Sequence, residues 1–359
     1  MVDTRDAVTR VVPSAEGVQP RGSRLLSWDV LRVVGIVAVL LFHATLLMPD
    51  ERPGIDGPPW RMDFPFGASL LLTLSGYFAA MTLGKHTAVG WWLRRMARLL
   101  PAFFVAVLLI FACTRLFSPA DFPQLSYRDL VGNLALMHVL IPSVQYVDWP
   151  HWTVPVQVAA FTGIFLFVAL RVRGRAASVT MWLLLVAPLV VRIALMGPDD
   201  APSRWLIMAM DGAGVNRVHL FIAGVAIYRW TQGRMGFAQL YLMLVVVLIA
   251  HDVHPPPGDS VPAYGLALAL ICVAAYGPDW TQPVLRIAQR PIRWLGSISY
   301  GVYLMHFTIG ALIARAMEDH GYGWWLWLPA FFISAILLGW LLTRLVEQPA
   351  FRLLTRRLA

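Results

Sequence analysis

The stretch "WDVLRVVGIVAVLLFHATLLMP", residues 28–49, decides the fold class of this protein. As a helix it is long enough to cross the hydrocarbon core of a bilayer, which takes about 20 apolar residues. It nevertheless contains Arg32 and His43, two side chains that lipid penalises. Their spacing places them within about 20° of each other around a helix and about 16 Å apart along it. We therefore predict a membrane helix with one polar face that is directed into a helix bundle. The alternative is that Arg32 snorkels to the cytoplasmic headgroups and that His43 makes a helix–helix hydrogen bond.

The composition of the whole chain supports the same class. Of 359 residues, 58% are hydrophobic and 14% are charged, and the mean hydropathy is +0.65. Such a chain has too little polar surface for a soluble globular protein. The net charge of +9 would suggest a nucleic-acid partner in a soluble protein, but in a membrane protein its distribution reports orientation. We expect a lipid bilayer as the surrounding and no nucleic-acid partner.

The apolar runs predict an all-α, polytopic membrane helix bundle with about ten transmembrane helices and both termini in the cytoplasm. The predicted spans are 27–48, 65–84, 99–117, 152–170, 178–196, 211–230, 236–252, 261–278, 295–315 and 324–345. This arrangement puts most arginines on the cytoplasmic side and most carboxylates outside, as the positive-inside rule requires. A further apolar run at 129–143 is predicted to be a helix in the outer leaflet or a partly re-entrant one, because an eleventh span would reverse the side of Arg171, Arg173 and Arg175.

Two regions follow from this division of the chain. Residues 1–24 contain Arg, Ser and Pro without an apolar core, so they are predicted to be a disordered cytoplasmic tail rather than a signal peptide. Residues 25–359 form the membrane domain. Its two cysteines, Cys113 and Cys272, lie in apolar runs and cannot build a disulfide framework or a zinc site. No metal site is predicted.

A cluster of arginines precedes the third predicted span, in "RRMARLLP", residues 94–101. Arg95 and Arg98 are three positions apart, on what we predict to be the first turn of a helix, so both side chains can reach one ligand. Guanidinium groups suit phosphate oxygens, which makes this cluster, with Arg94, a candidate donor-binding site. The alternative is that the cluster is only a topology signal.

Six motifs in a fixed order give the chain a family resemblance. They are "SWDVLRVVGIVAVLLFHA" (27–44), "LTLSGYF" (72–78) followed by "RRMARLLP", "HWTVPVQVAAF" (151–161), "RVHLFIAGVAIY" (217–228), "LGSISYGVYLMHFTI" (295–309) and "LVEQPAFRLL" (345–354). Together they make the chain resemble the acyltransferase 3 family of integral membrane acyltransferases. Each motif is weak alone, and their order and number carry the resemblance.

The resemblance implies transfer of an acyl group, acetyl or another short one, from cytoplasmic acyl-CoA to a hydroxyl of a carbohydrate, glycolipid or glycosylated natural product. It implies that His43 is the family's essential histidine and acts as the general base, with Arg32 as its partner and Asp29 as the acidic residue before that arginine. It also implies that Arg95 and Arg98 bind the donor. Acyl-CoA is then a co-substrate, no cofactor is expected to be bound, and the protein belongs in the cell membrane, as a multi-pass protein of a bacterial inner membrane.

This sequence departs from the family pattern at two positions. Gln157 stands where the family usually has an acidic residue, and Ser69 aligns with a frequent aspartate. Because Gln157 cannot titrate, the resemblance does not carry an acid–base role to that position.

Other polar residues in the spans are candidates for a cavity or for the acceptor site. They are Gln157, Trp152, Arg217, His219, Tyr303 and His306. For each there is a structural alternative: interhelical hydrogen bonding for His306, an ion pair between Arg217 and Asp211, and an aromatic belt for Trp152. A second function class also stays open, namely a transporter or acyl-group translocator in which Arg32 and His43 mark a pathway without chemistry.

Overall fold

The computed structural model describes residues 25–197, 202–254 and 259–356, and this part of the chain contains helices and no strand. The α-helices in chain order are α1 Leu26–Phe42, α2 Met48–Glu51, α3 Gly67–Thr82, α4 Ala88–Phe117, α5 Tyr127–Leu134, α6 Thr153–Ala169, α7 Gly174–Leu195, α8 Arg204–Ile207, α9 Val218–Thr231, α10 Phe237–Val253, α11 Val261–Tyr276, α12 Pro283–Ile287, α13 Gln289–Met305, α14 Phe307–Asp319, α15 Trp324–Leu342 and α16 Gln348–Thr355. The all-α prediction is confirmed. The predicted tail at 1–24 lies outside the described residues.

Several of these helices have the length and composition of membrane spans. Among the described residues, six helical stretches qualify: Leu26–Glu51, Gly67–Lys85, Ala88–Phe117, Trp149–Ala169, Gly174–Leu195 and Trp324–Thr355. A seventh arises if α13 and α14, which meet at an angle of 71°, are counted as one bent span. Helices α10 and α11 are apolar but shorter, and α9 has only 14 residues. Several of the predicted spans are thus helices of suitable length and composition, while the number ten and the cytoplasmic termini stay predictions.

The third span begins earlier than predicted. Helix α4 starts at Ala88 instead of residue 99, because the Thr87 side chain accepts a hydrogen bond from the Gly90 amide and caps the helix there. The prediction that Arg95 and Arg98 lie on the first helical turn is therefore wrong. They lie in the second and third turns, on a helix that continues through Pro101.

The apolar run at 129–143 is not one continuous helix. Helix α5 begins with a capping box between Ser126 and Asp129 and ends at Leu134, and Leu136 then adopts a left-handed conformation with φ of 59°. Asn133 fastens the returning chain, since its amide donates to the Gln145 carbonyl and its oxygen accepts from the Val147 amide. A polar side chain inside the run thus ends the helix after two turns.

Two helix pairs pack at backbone distance. In the contact of α3 with α9, a Cβ on Gly224 would lie 2.1 Å from the Thr73 carbonyl oxygen. In the contact of α13 with α15, a Cβ on Gly339 would lie 2.3 Å from the Val302 amide nitrogen. Small residues permit such approaches between membrane helices, where van der Waals contact rather than hydrophobic burial drives association. These contacts fix α9 and α13, which carry candidate site residues, against the rest of the bundle.

Candidate functional site

The centre of the candidate site is a pair of histidines from opposite ends of the sequence. Nδ1 of His43, at the end of α1, lies 2.6 Å from Nε2 of His306, between α13 and α14. The two rings are nearly parallel, with an angle of 2° between their planes. His306 is 1% exposed, whereas His43 keeps 8% of its surface accessible. The structure thus brings together the two histidines that the sequence had indicated separately.

The hydrogen bonds of this pair determine where its protons are. Nδ1 of His306 lies 2.8 Å from the Tyr303 carbonyl, which can only accept, so this nitrogen carries the proton. Nε2 of a neutral His306 is then an acceptor, and the Nδ1–H of His43 donates to it. Nε2 of His43 is left with its lone pair, and no described residue hydrogen-bonds to it. An imidazole held in this tautomer can take a proton from a hydroxyl group.

Interruptions in two helices produce this geometry. Helix α1 passes directly into a π-helical turn, His43–Leu47, and such turns often occur at functional sites. The second interruption is the 71° bend at His306. The bend deprives carbonyls at the end of α13 of their usual partners in the next turn. The His306 ring uses one of these carbonyls, that of Tyr303.

A short segment, Asp148–Trp152, holds the bend in place. Oδ1 of Asp148 accepts from the backbone and hydroxyl groups of Thr308, at 2.9 and 2.6 Å, in the first turn of α14. His151 donates from Nε2 to the Leu304 carbonyl at 3.0 Å. Tyr303 is a candidate from the sequence for a cavity or for the acceptor site. Its hydroxyl donates a hydrogen bond to the Pro150 carbonyl at 3.0 Å. The segment therefore supplies partners to both sides of the broken helix.

Neither Asp148 nor His151 was a candidate from the sequence, where an aromatic belt was the alternative considered for this region. Their signal was the density of polar groups in "VDWPHW", residues 147–152, directly before an apolar run. Asp148 is fully buried, and burial raises its pKa to about 7 although Thr308 and Arg52 act in the opposite direction. His138 is also buried nearby, against Phe103, and burial lowers its pKa to about 4.

Arg217 is paired differently from the sequence-based alternative. Asp211 binds Arg192, with Nη2 and Oδ1 2.8 Å apart, because the π-helical turn Met208–Gly212 directs it toward α7. The partner of Arg217 is Asp259, with 3.9 Å between Nη1 and Oδ2, and its guanidinium lies 5.0 Å from the ring of Trp152. Nε2 of His219 contacts Nδ1 of His251 at 3.2 Å. Neither Asp259 nor His251 had been singled out by sequence.

The structure shows what surrounds Ser69 and Gln157, the two residues that depart from the family pattern. The Ser69 hydroxyl donates to Oδ2 of Asp259 at 2.9 Å. A carboxylate from the loop before α11 therefore lies beside Ser69, where the resemblance leads one to expect an aspartate on α3 itself. Gln157 lies beside Ser75, with 3.4 Å between the Gln157 oxygen and the Ser75 hydroxyl.

The remaining predicted residues lie toward the opposite end of α1 from His43. Arg32 forms an ion pair with buried Asp29 at 3.1 Å and stacks on the Phe78 ring at 4.5 Å. Nη2 of Arg95 donates to the Phe78 carbonyl at 2.6 Å and to the Thr82 hydroxyl at 2.7 Å. Arg32 and Arg95 thus meet at one residue, Phe78.

The other two arginines of the cluster lie on the same helix. Arg98 is largely exposed, with its Nε 3.6 Å from Glu347, and Arg94 is partly buried. No contact of this cluster identifies a ligand, so the catalytic roles of Arg32 and Asp29 and the donor-binding roles of the three arginines stay predictions.

Comparison with known proteins relates this arrangement to a family. The profile of the acyltransferase domain family matches residues 25–344. A protein of Bacillus subtilis (strain 168) named "Putative peptidoglycan O-acetyltransferase YrhL" is 23% identical over 340 residues, which cover 81% of this chain. They cover 49% of the Bacillus protein, so this chain matches about half the length of that relative. No solved structure matches the chain.

The family match covers both histidines of the pair, the segment that holds the bend and the arginine cluster. Of the two function classes that the sequence had left open, a match to an acyltransferase domain favours the enzyme. The protein has several helices that are long and apolar enough to span a membrane, and it belongs to the acyltransferase 3 family.

Proposed function

We propose that this protein transfers an acetyl or other short acyl group from acyl-CoA to a hydroxyl group of a carbohydrate-containing acceptor. The Bacillus relative is named as an O-acetyltransferase of a glycan, which favours an O-linked product and a sugar-containing acceptor for this chain. The acceptor belongs to the class of glycans, glycolipids or glycosylated metabolites. The enzyme acts in the cell membrane, which for a bacterial protein of this kind is the inner membrane.

The observation that carries the proposal is the free lone pair on Nε2 of His43. In the proposed reaction this nitrogen accepts the proton of the acceptor hydroxyl while the hydroxyl oxygen attacks the thioester carbonyl. The carbon–sulfur bond breaks, CoA leaves as the thiolate, and the proton on His43 passes to that sulfur. The Nδ1–H···Nε2 bond to His306 keeps the ring in the productive tautomer and orientation throughout. His306 is thus a positioning residue.

The arginine cluster supports binding of the donor at the other end of α1. The phosphates of CoA cannot enter hydrocarbon, so they have to stay at a polar membrane face. Arg98 exposes its guanidinium there, and Arg95 lies one turn away on the same helix. Arg95 already donates to α3, which leaves Arg98 as the more available phosphate ligand of the two. In this proposal the pantetheine arm extends from Arg98 past Arg32 toward His43.

Substitution of the two histidines tests the proposal. Membranes that contain the protein are incubated with acetyl-CoA labelled in the acetyl group and with a panel of glycan acceptors that includes peptidoglycan fragments. O-esters are quantified as label that mild alkali releases. We expect His43→Gln to lower ester formation about 100-fold or more, which is the usual contribution of a general base. His306→Gln should lower kcat less and shift the pH profile, because the base remains but loses its fixed tautomer.

His320→Gln serves as the matched control, because within the described residues the ring of this exposed histidine bonds to a carbonyl of the preceding helix, that of Ala316. It should retain full activity. Each variant is first purified to show that it is monodisperse. Undiminished ester formation by a well-folded His43→Gln protein would exclude the proposed base.

A further inference from the structure

A second histidine pair in the molecule repeats the arrangement of the first. Nδ1 of His219 lies 2.8 Å from the Asn216 carbonyl, so it donates there, and its Nε2 accepts from Nδ1–H of His251. In both pairs the anchoring ring bonds to the carbonyl three residues before it: His306 to Tyr303, and His219 to Asn216. The same reasoning leaves the lone pair on Nε2 of His251.

Nε2 of His251 lacks a hydrogen-bond donor. Within the described residues this atom is buried without a hydrogen-bond partner, and the side chain has no exposed surface. The group that faces it is Oδ2 of Asp259, at 3.7 Å. Ser69 already donates to this oxygen. Two acceptor atoms therefore point toward the same place, which is a costly arrangement unless a donor binds both.

Whereas His251 lacks a hydrogen-bond donor, Arg217 lacks a hydrogen-bond acceptor. It is 5% exposed, and in the described part of the chain it forms a 3.9 Å ion pair with Asp259, lies against the ring of Trp152 and interacts electrostatically with Asp211 and Arg192. None of these interactions is a hydrogen bond, although a guanidinium carries five N–H donors. A nearly buried cation that donates no hydrogen bond needs an acceptor from outside the described chain.

The chemistry of the missing ligand follows from these two deficits. It must donate to His251 and Asp259 and accept from Arg217. The arginine and the carboxylate balance each other in charge, so the site favours neither an anion nor a cation. A hydroxyl group donates one hydrogen bond and accepts others, and adjacent hydroxyls on a sugar ring supply both functions side by side. The class of ligand that fits is therefore a neutral polyol such as a pyranose.

The position of this second cluster connects it with the first. Trp152, which stacks on Arg217, directly follows His151, which binds the Leu304 carbonyl near His306. The Asp259 carboxylate also interacts electrostatically with Tyr303. A sugar that lies against Arg217 and Asp259 is thus beside Trp152, which belongs to the same segment that holds the bend at His306.

We propose that Arg217, His251 and Asp259 form the acceptor subsite, which binds adjacent hydroxyls of a pyranose ring and thereby directs a further hydroxyl toward His43. This inference rests on the proposed function and adds to it the class of group that is recognised and the residues that recognise it.

Binding of methyl pyranosides, measured without any chemistry, tests the inference. Saturation-transfer NMR is recorded on the purified protein in detergent with a panel of methyl pyranosides. We expect contact signals from wild type and from His43→Gln, and their loss in Asp259→Asn and His251→Gln. Asp121→Asn, which removes an aspartate from another, more exposed Arg–Asp pair, is the matched control and should bind like wild type.

Two outcomes would overturn the inference: no methyl pyranoside contacts the wild-type protein, or Asp259→Asn and His251→Gln bind as wild type does. If these variants do not fold, the test is made on wild type with deoxy analogues of the bound pyranoside. Removal of either of two adjacent hydroxyls should abolish the signal, and retention of the signal in every deoxy analogue refutes the subsite. Failure of the proposed function is recognised separately, as ester formation by His43→Gln.

Discussion

In both histidine pairs, one backbone carbonyl determines which nitrogen of the second histidine ring is unprotonated. The anchoring rings, His306 and His219, each donate to a carbonyl of the preceding turn, and this bond determines the tautomer of the partner ring. In His43 and in His251 this leaves the unprotonated ring nitrogen at Nε2. A backbone acceptor is neutral, so it orients the ring without bringing a charge into the bilayer, where charge is costly.

Asp148 makes the stability of the protein depend on pH. Burial raises the pKa of this carboxyl from its ordinary 3.8 to about 7, so between these values the folded protein binds a proton that the unfolded chain has lost. Its contribution to stability is complete below about pH 4 and is lost as the pH rises to about 7. We expect the Asp148 contribution to the free energy of unfolding to fall by a few kcal/mol over this window, while buried His138, whose pKa is lowered to about 4, contributes in the opposite direction.

Asp148→Asn should remove the Asp148 contribution from the pH dependence and be more stable than wild type at pH 8, because the amide oxygen still accepts from Thr308. Chemical unfolding in detergent, followed at several pH values by tryptophan fluorescence, measures the effect. Asp121→Asn, at an exposed ion pair with Arg315, should leave the slope unchanged. The same slope in Asp148→Asn as in wild type would assign the pH dependence to other groups.

At the scale of elements, interruptions of helices recur where polar residues gather. π-helical turns lie at His43–Leu47, Met208–Gly212 and Thr343–Glu347, and the bend between α13 and α14 lies at His306. Each of them changes the direction of a side chain relative to a regular helix, and each carries a candidate or ion-pairing residue: His43, Asp211, Glu347 and His306. Regular helices form the bundle, and the interruptions change the direction in which the polar side chains point.

The contact of α3 with α9 positions the second cluster, since α3 carries Ser69 and α9 carries His219. We expect Gly224→Ala to destabilise the protein by about 2–3 kcal/mol or more, because the added methyl group meets the Thr73 carbonyl and the helices have to separate. Thermal unfolding in detergent and the yield of monodisperse protein measure this effect.

Gly163→Ala is the matched control for this contact. Gly163 lies inside α6, where a Cβ added to it would have no heavy atom within 4 Å, and alanine favours helix by up to about 1 kcal/mol. This variant should be as stable as wild type or more stable. Equal stability of Gly224→Ala and wild type would show that the two helices tolerate a larger separation.

At the scale of the whole molecule, the proposed reaction uses residues that lie toward both polar faces of the membrane. The proposed base, His43, lies toward the end of α1 that leads into the loop before α3, whereas the arginine cluster lies toward the other end of the bundle. The positive-inside rule predicts that the arginine-rich face is cytoplasmic, as the proposed use of acyl-CoA requires. This orientation predicts that donor and acceptor meet inside the membrane domain.

Cysteine labelling tests the orientation. Asp56→Cys, in the loop between α2 and α3, and Lys85→Cys, between α3 and α4, are made in a Cys113→Ala, Cys272→Ala background, and both positions are exposed. A membrane-impermeant maleimide should label Asp56→Cys in intact cells and Lys85→Cys only after permeabilisation. The reverse pattern would place the arginine cluster outside and exclude cytoplasmic acyl-CoA as its ligand.

The sequence by itself determined the fold class and the family. It also indicated both histidines of the candidate site, His43 and His306, but not that they form a pair. Apolar runs specify membrane helices because the bilayer penalises every unpaired polar group, and two polar residues on one face of the first helix mark a site for the same reason. The order of six motifs was sufficient for the family. These signals are local, so they can be read without knowing which helices are neighbours.

Only the tertiary structure decided the pairings. His43 and His306 are separated by 263 positions, and Ser69 and Asp259 by 190. Uniformly apolar helices do not encode which partner they choose; close glycine contacts and buried hydrogen bonds make that choice. The bend at His306 was equally hidden, because its stabilising partners, Asp148 and His151, come from a segment more than 150 residues earlier. Partners so distant in sequence meet only when the bundle has assembled.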